Sequence, residues 1–150
     1  MRQAAIRQAF ERYLKSRSLK MTPQRTRIFD RVFATHEHFT AETIYTWLQQ
    51  EEGPRVSRAT VYRTLSLLLE GEFMKSLDTG RGELLYEHTM GHQHHDHMLC
   101  LECGKIEEFV DEQIEARQLK VCEERGFELV RHDHRLLGYC RSCSLERRNS

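Results

Sequence analysis

Apolar residues recur at three- and four-residue spacing from Ala4 to Arg17, where Ile6, Phe10, Tyr13 and Leu14 share a face, and this period predicts a helix. Leu19-Lys20-Met21 breaks it. Thr22-Pro23 then starts a second helix, with a capping hydroxyl and a proline at the first helical position; Ile28, Phe29, Val32 and Phe33 form its apolar face. After His36-Glu37-His38-Phe39, Thr40 caps a third helix bearing Ile44, Tyr45 and Leu48, which Gly53-Pro54 ends. Ser57 caps a fourth, Arg58 to Glu70, with Val61, Leu65, Leu68 and Leu69 as its buried stripe and Gly71 as its stop. The period then falls to two. Phe73 to Leu77 and Glu83 to Glu87 predict strands around the turn residues Asp78-Thr79-Gly80-Arg81-Gly82, which makes a hairpin. Capped helices followed by a hairpin is the order of a winged helix-turn-helix, in which the helix after Ser57 lies in a DNA major groove.

The second half reads differently. His88 to His97 is polar and aperiodic and is the candidate hinge. His97 to Leu101 and Lys105 to Val110 predict strands around a Cys-x-x-Cys turn, Asp111 to Arg125 a helix stopped by Gly126, and Phe127 to Val130 and His134 to Tyr139 further strands. The tail after Cys143 is expected to fray. Such a part is too small to rest on a hydrophobic core alone.

Composition sharpens this division. The 150 residues carry no net charge, yet residues 1–63 hold 12 Lys/Arg against 6 Asp/Glu, and residues 87–150 hold 9 against 13. A basic front and an acidic, His- and Cys-rich back suggest two functional parts. No apolar run approaches the ~20 residues that span a bilayer, and the first residues lack a secretory signal pattern. Five cysteines, four of them paired like metal ligands, fit a reducing cytoplasm better than a disulfide framework.

The most specific chemistry is the double pair Cys100/Cys103 and Cys140/Cys143. Two x2 spacings can close a tetrahedral four-thiolate zinc site, which leaves no open position for substrate and therefore reads as structural. The 36 intervening residues exceed a compact zinc ribbon, so the metal would tie the start of the domain to its end. Cys122 reads as an ordinary buried thiol. Ahead of the first pair runs His92-Gln93-His94-His95-Asp96-His97. It matches the HxHxDH signature of metallo-β-lactamase-fold hydrolases, but that fold needs a larger sandwich, further ligands and an open metal position for hydroxide. Only 53 residues follow, and four cysteines occupy them, so a zinc hydrolase is the disfavoured alternative. On a strand, His95 and His97 face one way and His94 and Asp96 the other, so one segment can serve two sites. His38, Glu87, Glu108, Glu115 and His132 are candidates to complete them, with iron(II), manganese or zinc all suited to mixed imidazole and carboxylate ligands. On the fourth helix Arg58, Thr60, Tyr62 and Arg63 could read phosphates or bases, and Lys20 could approach phosphate or the minor groove; as single residues they also suit any amphipathic helix.

These residues together resemble the ferric uptake regulator family. The resemblance is carried by Leu19-Lys20-Met21-Thr22-Pro23-Gln24-Arg25, His38-Phe39-Thr40-Ala41-Glu42, Thr60-Val61-Tyr62-Arg63-Thr64-Leu65, His94-His95-Asp96-His97, Cys100-Leu101-Glu102-Cys103-Gly104-Lys105, Glu108-Phe109 and Cys140/Cys143. It implies an α+β chain: an N-terminal winged helix (1–87), a hinge (88–93) and a small C-terminal α/β dimerisation and metal-binding domain (94–150). The family pattern makes Cys100, Cys103, Cys140 and Cys143 a structural zinc site. It makes His38, Glu87, His95, His97 and Glu108 a sensing site, and His94, Asp96, Glu115 and His132 an additional one. Tyr62 and Arg63 match the DNA-reading pair and Lys20 the minor-groove residue. The stretch from Glu87 to His95 is about a residue longer than in many members, which leaves Glu87 and His88 as alternatives for one ligand position. His36 and His134 are near-neighbours of the residues chosen. Glu at 87 and 108, where peroxide-sensing members carry Asp, favours iron(II) over peroxide sensing. The resemblance thus implies a cytoplasmic homodimeric or tetrameric repressor that binds a palindromic DNA operator under metal control.

Overall fold

The structure, a computed structural model, describes residues 3–88 and 96–150. They form two compact units, 3–78 with 82–88, and 79–81 with 96–150.

The first unit contains α1 (Gln3–Ser16), α2 (Pro23–Phe33), α3 (Ala41–Gln50), α4 (Arg58–Glu70) and a hairpin of β1 (Met74–Asp78) and β2 (Leu84–His88). Three helices begin where a hydroxyl meets the orphan N–H groups of the first turn. Arg25 N–H donates to Thr22 Oγ1 at 3.2 Å, Thr43 N–H to Thr40 Oγ1 at 3.0 Å, and Thr60 N–H to Ser57 Oγ at 3.2 Å; each such cap stabilises its helix by about 1 kcal/mol. Arg27 serves the other end of α3, donating to the carbonyls of Leu48 (3.0 Å) and Glu51 (3.3 Å) and to that of Pro54. Gly53 lies beside it at φ +139°, where a Cβ would stand 2.9 Å from Arg27 Nε.

The apolar faces meet in one core. Phe10 stacks on Phe29 at 5.7 Å and meets Phe73 edge-on at 5.4 Å, with Leu14, Ile28, Ile44, Leu48, Val61, Leu65 and Leu68 around them. Leu69, expected in the α4 stripe, is only partly buried. Thr64 is fully buried instead, because position 64 sits between Val61 and Leu68 on the inward face. Phe39 and Tyr86 form an antiparallel bridge, each N–H donating to the other's carbonyl at 3.0 and 2.7 Å, and so fasten the segment before α3 to β2.

The second unit contains β3 (Asp96–Cys100), β4 (Ile106–Phe109), α5 (Glu112–Glu124), β5 (Arg135–Gly138) and α6 (Arg141–Asn149). The sheet order is β4-β3-β5, with β3 antiparallel to β4 and parallel to β5. Asp111 caps α5 by accepting from the N–H groups of Gln113 (2.9 Å) and Ile114 (3.2 Å).

Several elements depart from the sequence reading. Phe127 to Val130 forms no strand: its backbone joins no ladder, and Phe127 and Val130 are exposed. Its apolar run marks surface rather than core. The tail does not fray, since Cys140 begins α6 and the helix runs to Asn149, with the Arg147 guanidinium 4.0 Å from the Tyr139 ring centroid. Cys122 is partly covered rather than buried, as α5 has no buried residue. His88, placed in the hinge by its sequence, is the buried last residue of β2; the rest of the proposed hinge, with His92, His94 and His95, lies outside the described residues. No helix among the described residues is long and apolar enough to cross a membrane.

Candidate functional site

The exposed face of α4 carries the DNA-contact candidates. Arg58 and Tyr62, four residues apart, lie on one face of the helix, and Tyr62 is 46% exposed. Both turn to Glu42 near the start of α3. Arg58 Nε donates to its two carboxylate oxygens at 2.9 and 3.1 Å, and the Tyr62 hydroxyl donates to Oε1 at 3.4 Å. The Arg58 guanidinium also sits 4.4 Å from the Tyr45 ring centroid. The hydrogen bond from Arg58 holds the Glu42 carboxyl below its usual pKa and correspondingly raises that of Arg58. Arg63 Nη2 donates to Thr60 Oγ1 at 3.4 Å, and Lys20 is exposed ahead of α2. The role of Glu42 was not foreseen; it is sixteen residues from Arg58, so no local spacing marks it.

Each unit presents a His–carboxylate pair. In the first, the Phe39–Tyr86 bridge sets the preceding His38 against the following Glu87, and His38 Nε2 lies 3.1 Å from Glu87 Oε2. Alternation along β2 puts the neighbouring His88 on another face, where its ring meets Phe33 at 5.1 Å and His36 at 5.5 Å. In the second unit, His97 and Glu108 are direct cross-strand partners of β3 and β4, with Nε2 and Oε1 4.0 Å apart.

Asp96, one residue before His97, points to the other face of β3 and is 1% exposed. His132 Nε2 is 3.1 Å from Asp96 Oδ1 and 3.7 Å from Glu115 Oε1. One ligand atom each from Asp96, Glu115 and His132 lies within 4.8 Å of the others. One nitrogen and two carboxylate oxygens suit a divalent transition ion, and the burial of Asp96 is costly for a charge without a cation nearby.

The four cysteines converge from the β3–β4 turn and the start of α6. Their sulfurs all lie within 4.8 Å of one another, and Cys103 Sγ is 3.8 Å from Cys140 Sγ. Sulfurs about 2.3 Å from a tetrahedral zinc stand about 3.8 Å apart, so the donor set fits that ion. Backbone N–H groups of Cys103 and then Cys140 hold the Cys100 thiol down to about 6, while the hydrogen bond with Cys140 pushes Cys143 up. One thiolate is thus favoured before the ion supplies its own charge. A zinc held there would be structural, since four thiolates complete its shell.

A winged helix-turn-helix in one chain with a four-thiolate zinc site and further His–carboxylate groups defines a metal-dependent DNA-binding regulator. Residues 16–137 match the profile of the ferric uptake regulator family. The ferric uptake regulation protein of Campylobacter jejuni is 39% identical over 136 residues, which cover 90% of this chain and 86% of that one. The Helicobacter pylori ferric uptake regulator Fur, with three functional metal binding sites, superposes at a TM-score of 0.83 with 30% identity, over 96% of this chain and 95% of that one. The ferric uptake regulator of Pseudomonas aeruginosa with manganese superposes at 0.72 with 33% identity, over 85% and 95%. The chain belongs to the ferric uptake regulator family.

Proposed function

We propose that this chain is an iron(II)-responsive repressor that binds a palindromic operator as a homodimer in the cytoplasm and controls metal-uptake genes. The observation that carries the reading is the set of His–carboxylate pairs, His38 with Glu87 and His97 with Glu108, in a chain of this family. The sensing ligands are His38, Glu87, His95, His97 and Glu108, and metal uptake favours the conformer competent for DNA. Metal and operator then bind cooperatively, since each stabilises the same state. A metal that binds only that state at 100 times its dissociation constant shifts the balance by ~2.7 kcal/mol. Manganese or zinc can stand in for iron at such ligands.

Asp96, Glu115 and His132, with His94, hold the additional ion. Arg58, Thr60, Tyr62 and Arg63 meet the major groove and Lys20 the minor groove. Dimerisation is supported by the apolar side chains that the second unit leaves exposed, Leu119, Leu136, Leu137 and Tyr139 among them. Pairing of dimers into tetramers would extend the operator contact.

The test is a DNA-binding titration at fixed salt with iron(II), manganese(II), zinc(II) or chelator, on wild type and His97→Ala. Metal-dependent operator binding that the variant loses supports the reading. Operator affinity unchanged by chelation, with structural zinc still bound, refutes it. Hydrolytic turnover lost on substitution of His92 and His94 would instead favour the hydrolase.

A further inference from the structure

The Asp96 carboxylate has a second imidazole beside it that the family pattern does not supply. His132 and His134 are two residues apart in the segment leading into β5, a spacing that puts both on one side of extended backbone. The register is fixed, since His97 N–H of β3 donates to the His134 carbonyl at 3.3 Å. The two rings approach the two oxygens of one carboxylate: His132 Nε2 is 3.1 Å from Oδ1, and His134 Nδ1 is 3.6 Å from Oδ2.

That His134 nitrogen is buried and has no hydrogen-bond partner among the described residues. Its distance to Asp96 exceeds the roughly 2.7–3.2 Å of an N–H···O bond. It suits a shared ion on the Oδ2 side of Asp96, because two donors each about 2.1 Å from one ion at the tetrahedral angle stand about 3.4 Å apart. His134 lies outside the trio of Asp96, Glu115 and His132 whose ligand atoms are all within 4.8 Å of one another, so it reaches that ion through the Asp96 carboxylate's far oxygen. A buried nitrogen without a hydrogen bond, facing a buried carboxylate, is a place for a cation.

We propose that His134 is a further ligand of the Asp96 metal site, adding through Nδ1 an imidazole nitrogen to the donors assigned above, among them the oxygens of Asp96 and Glu115 and the nitrogen of His132. This rests on the reading that the Asp96 group binds metal. More nitrogen among the donors favours zinc over manganese, which prefers oxygen-rich shells. The site in this chain is therefore biased toward zinc-like ions.

The experiment uses the full reduced chain with its structural zinc in place. Zinc(II) and manganese(II) affinities are measured by competition with a chromophoric chelator, and cobalt(II) by its visible absorption, for wild type, His132→Ala, His134→Ala and His134→Gln. His132→Ala is expected to remove one binding event. His134→Ala and His134→Gln should weaken that same event for zinc at least ~10-fold, a loss typical even of groups that only support a ligand. Manganese affinity should fall less, and the cobalt spectrum should change. If His132→Ala removes no event, the Asp96 group takes no metal and the underlying reading fails. If it does while both His134 variants match wild type, the ligand assignment is overturned. Equal loss for zinc and manganese with an unchanged cobalt spectrum would overturn it too, since His134 would then merely prop Asp96.

Discussion

Removing zinc from Cys100, Cys103, Cys140 and Cys143 is expected to unfold residues 96–150 while the first unit keeps its fold. The asymmetry lies in what each unit buries. The core of the first holds eighteen buried residues, from Ile6 to Tyr86. Among the described residues of the second, the buried apolar side chains are Leu99, Cys100 and Cys143, two of them in the four-cysteine group that fits zinc. Full burial of a leucine stabilises by about 2 kcal/mol. A structural zinc in a small domain contributes an apparent ~10–16 kcal/mol at neutral pH, so the metal term dominates. Partly covered residues such as Ile106, Phe109 and Ile114 add fractions of a leucine each and do not alter that ranking. The assay is amide hydrogen exchange read by mass spectrometry on reduced protein, with zinc and after stripping by a strong chelator. Cys143→Ala provides the same comparison without chelator. Peptides from α5, β5 and α6 should lose protection, while peptides from α2 and α4 keep it. Protection of 96–149 that survives zinc removal in monomeric protein would refute the argument.

Three further outcomes are expected. Glu42→Gln removes an exposed negative charge beside Arg58 and Tyr62, so affinity for duplex of scrambled sequence should rise severalfold by fluorescence anisotropy at low salt, and the gain should shrink as salt screens it. Weaker binding instead would mean that Glu42 positions Arg58 for DNA. Phe10→Ala leaves a cavity against Phe29 and Phe73 and should cost about 3–5 kcal/mol in urea denaturation of the first unit. Gly53→Ala should destabilise the same unit, because it strains a positive φ and pushes a methyl onto the Arg27 side chain that serves the end of α3; an unchanged urea midpoint would contradict this.

Local chemistry made much of the first unit legible. Thr22, Thr40 and Ser57 each sit one residue before an apolar period, and each accepts a first-turn N–H. The cysteine spacing likewise announced a site whose sulfurs the fold gathers. What stayed hidden depends on long-range partners. Nothing near Glu42 in the chain points to Arg58. The run Phe127 to Val130 looks like a strand because its residues are apolar, yet no neighbour pairs with it. The helix after Cys140 was missed because its sequence is polar, and its support comes from Tyr139 and Glu102. His134 is legible as a near-neighbour of His132, since the His-x-His spacing before a strand places two imidazoles on one side.

The Phe39–Tyr86 bridge has a consequence for the DNA-binding unit by itself. An ion held by both His38 and Glu87 would cross-link positions 49 residues apart, across α3, α4 and the hairpin. A permanent link of that span would restrict the unfolded chain by roughly 4 kcal/mol, whereas an ion that meets both ligands only in the folded unit adds its own binding free energy to that unit, and more as its affinity grows. The sensed ion would thus act as a clasp on the winged helix. Its arrival would resist fraying of the recognition helix's neighbours and tighten the fold that meets DNA.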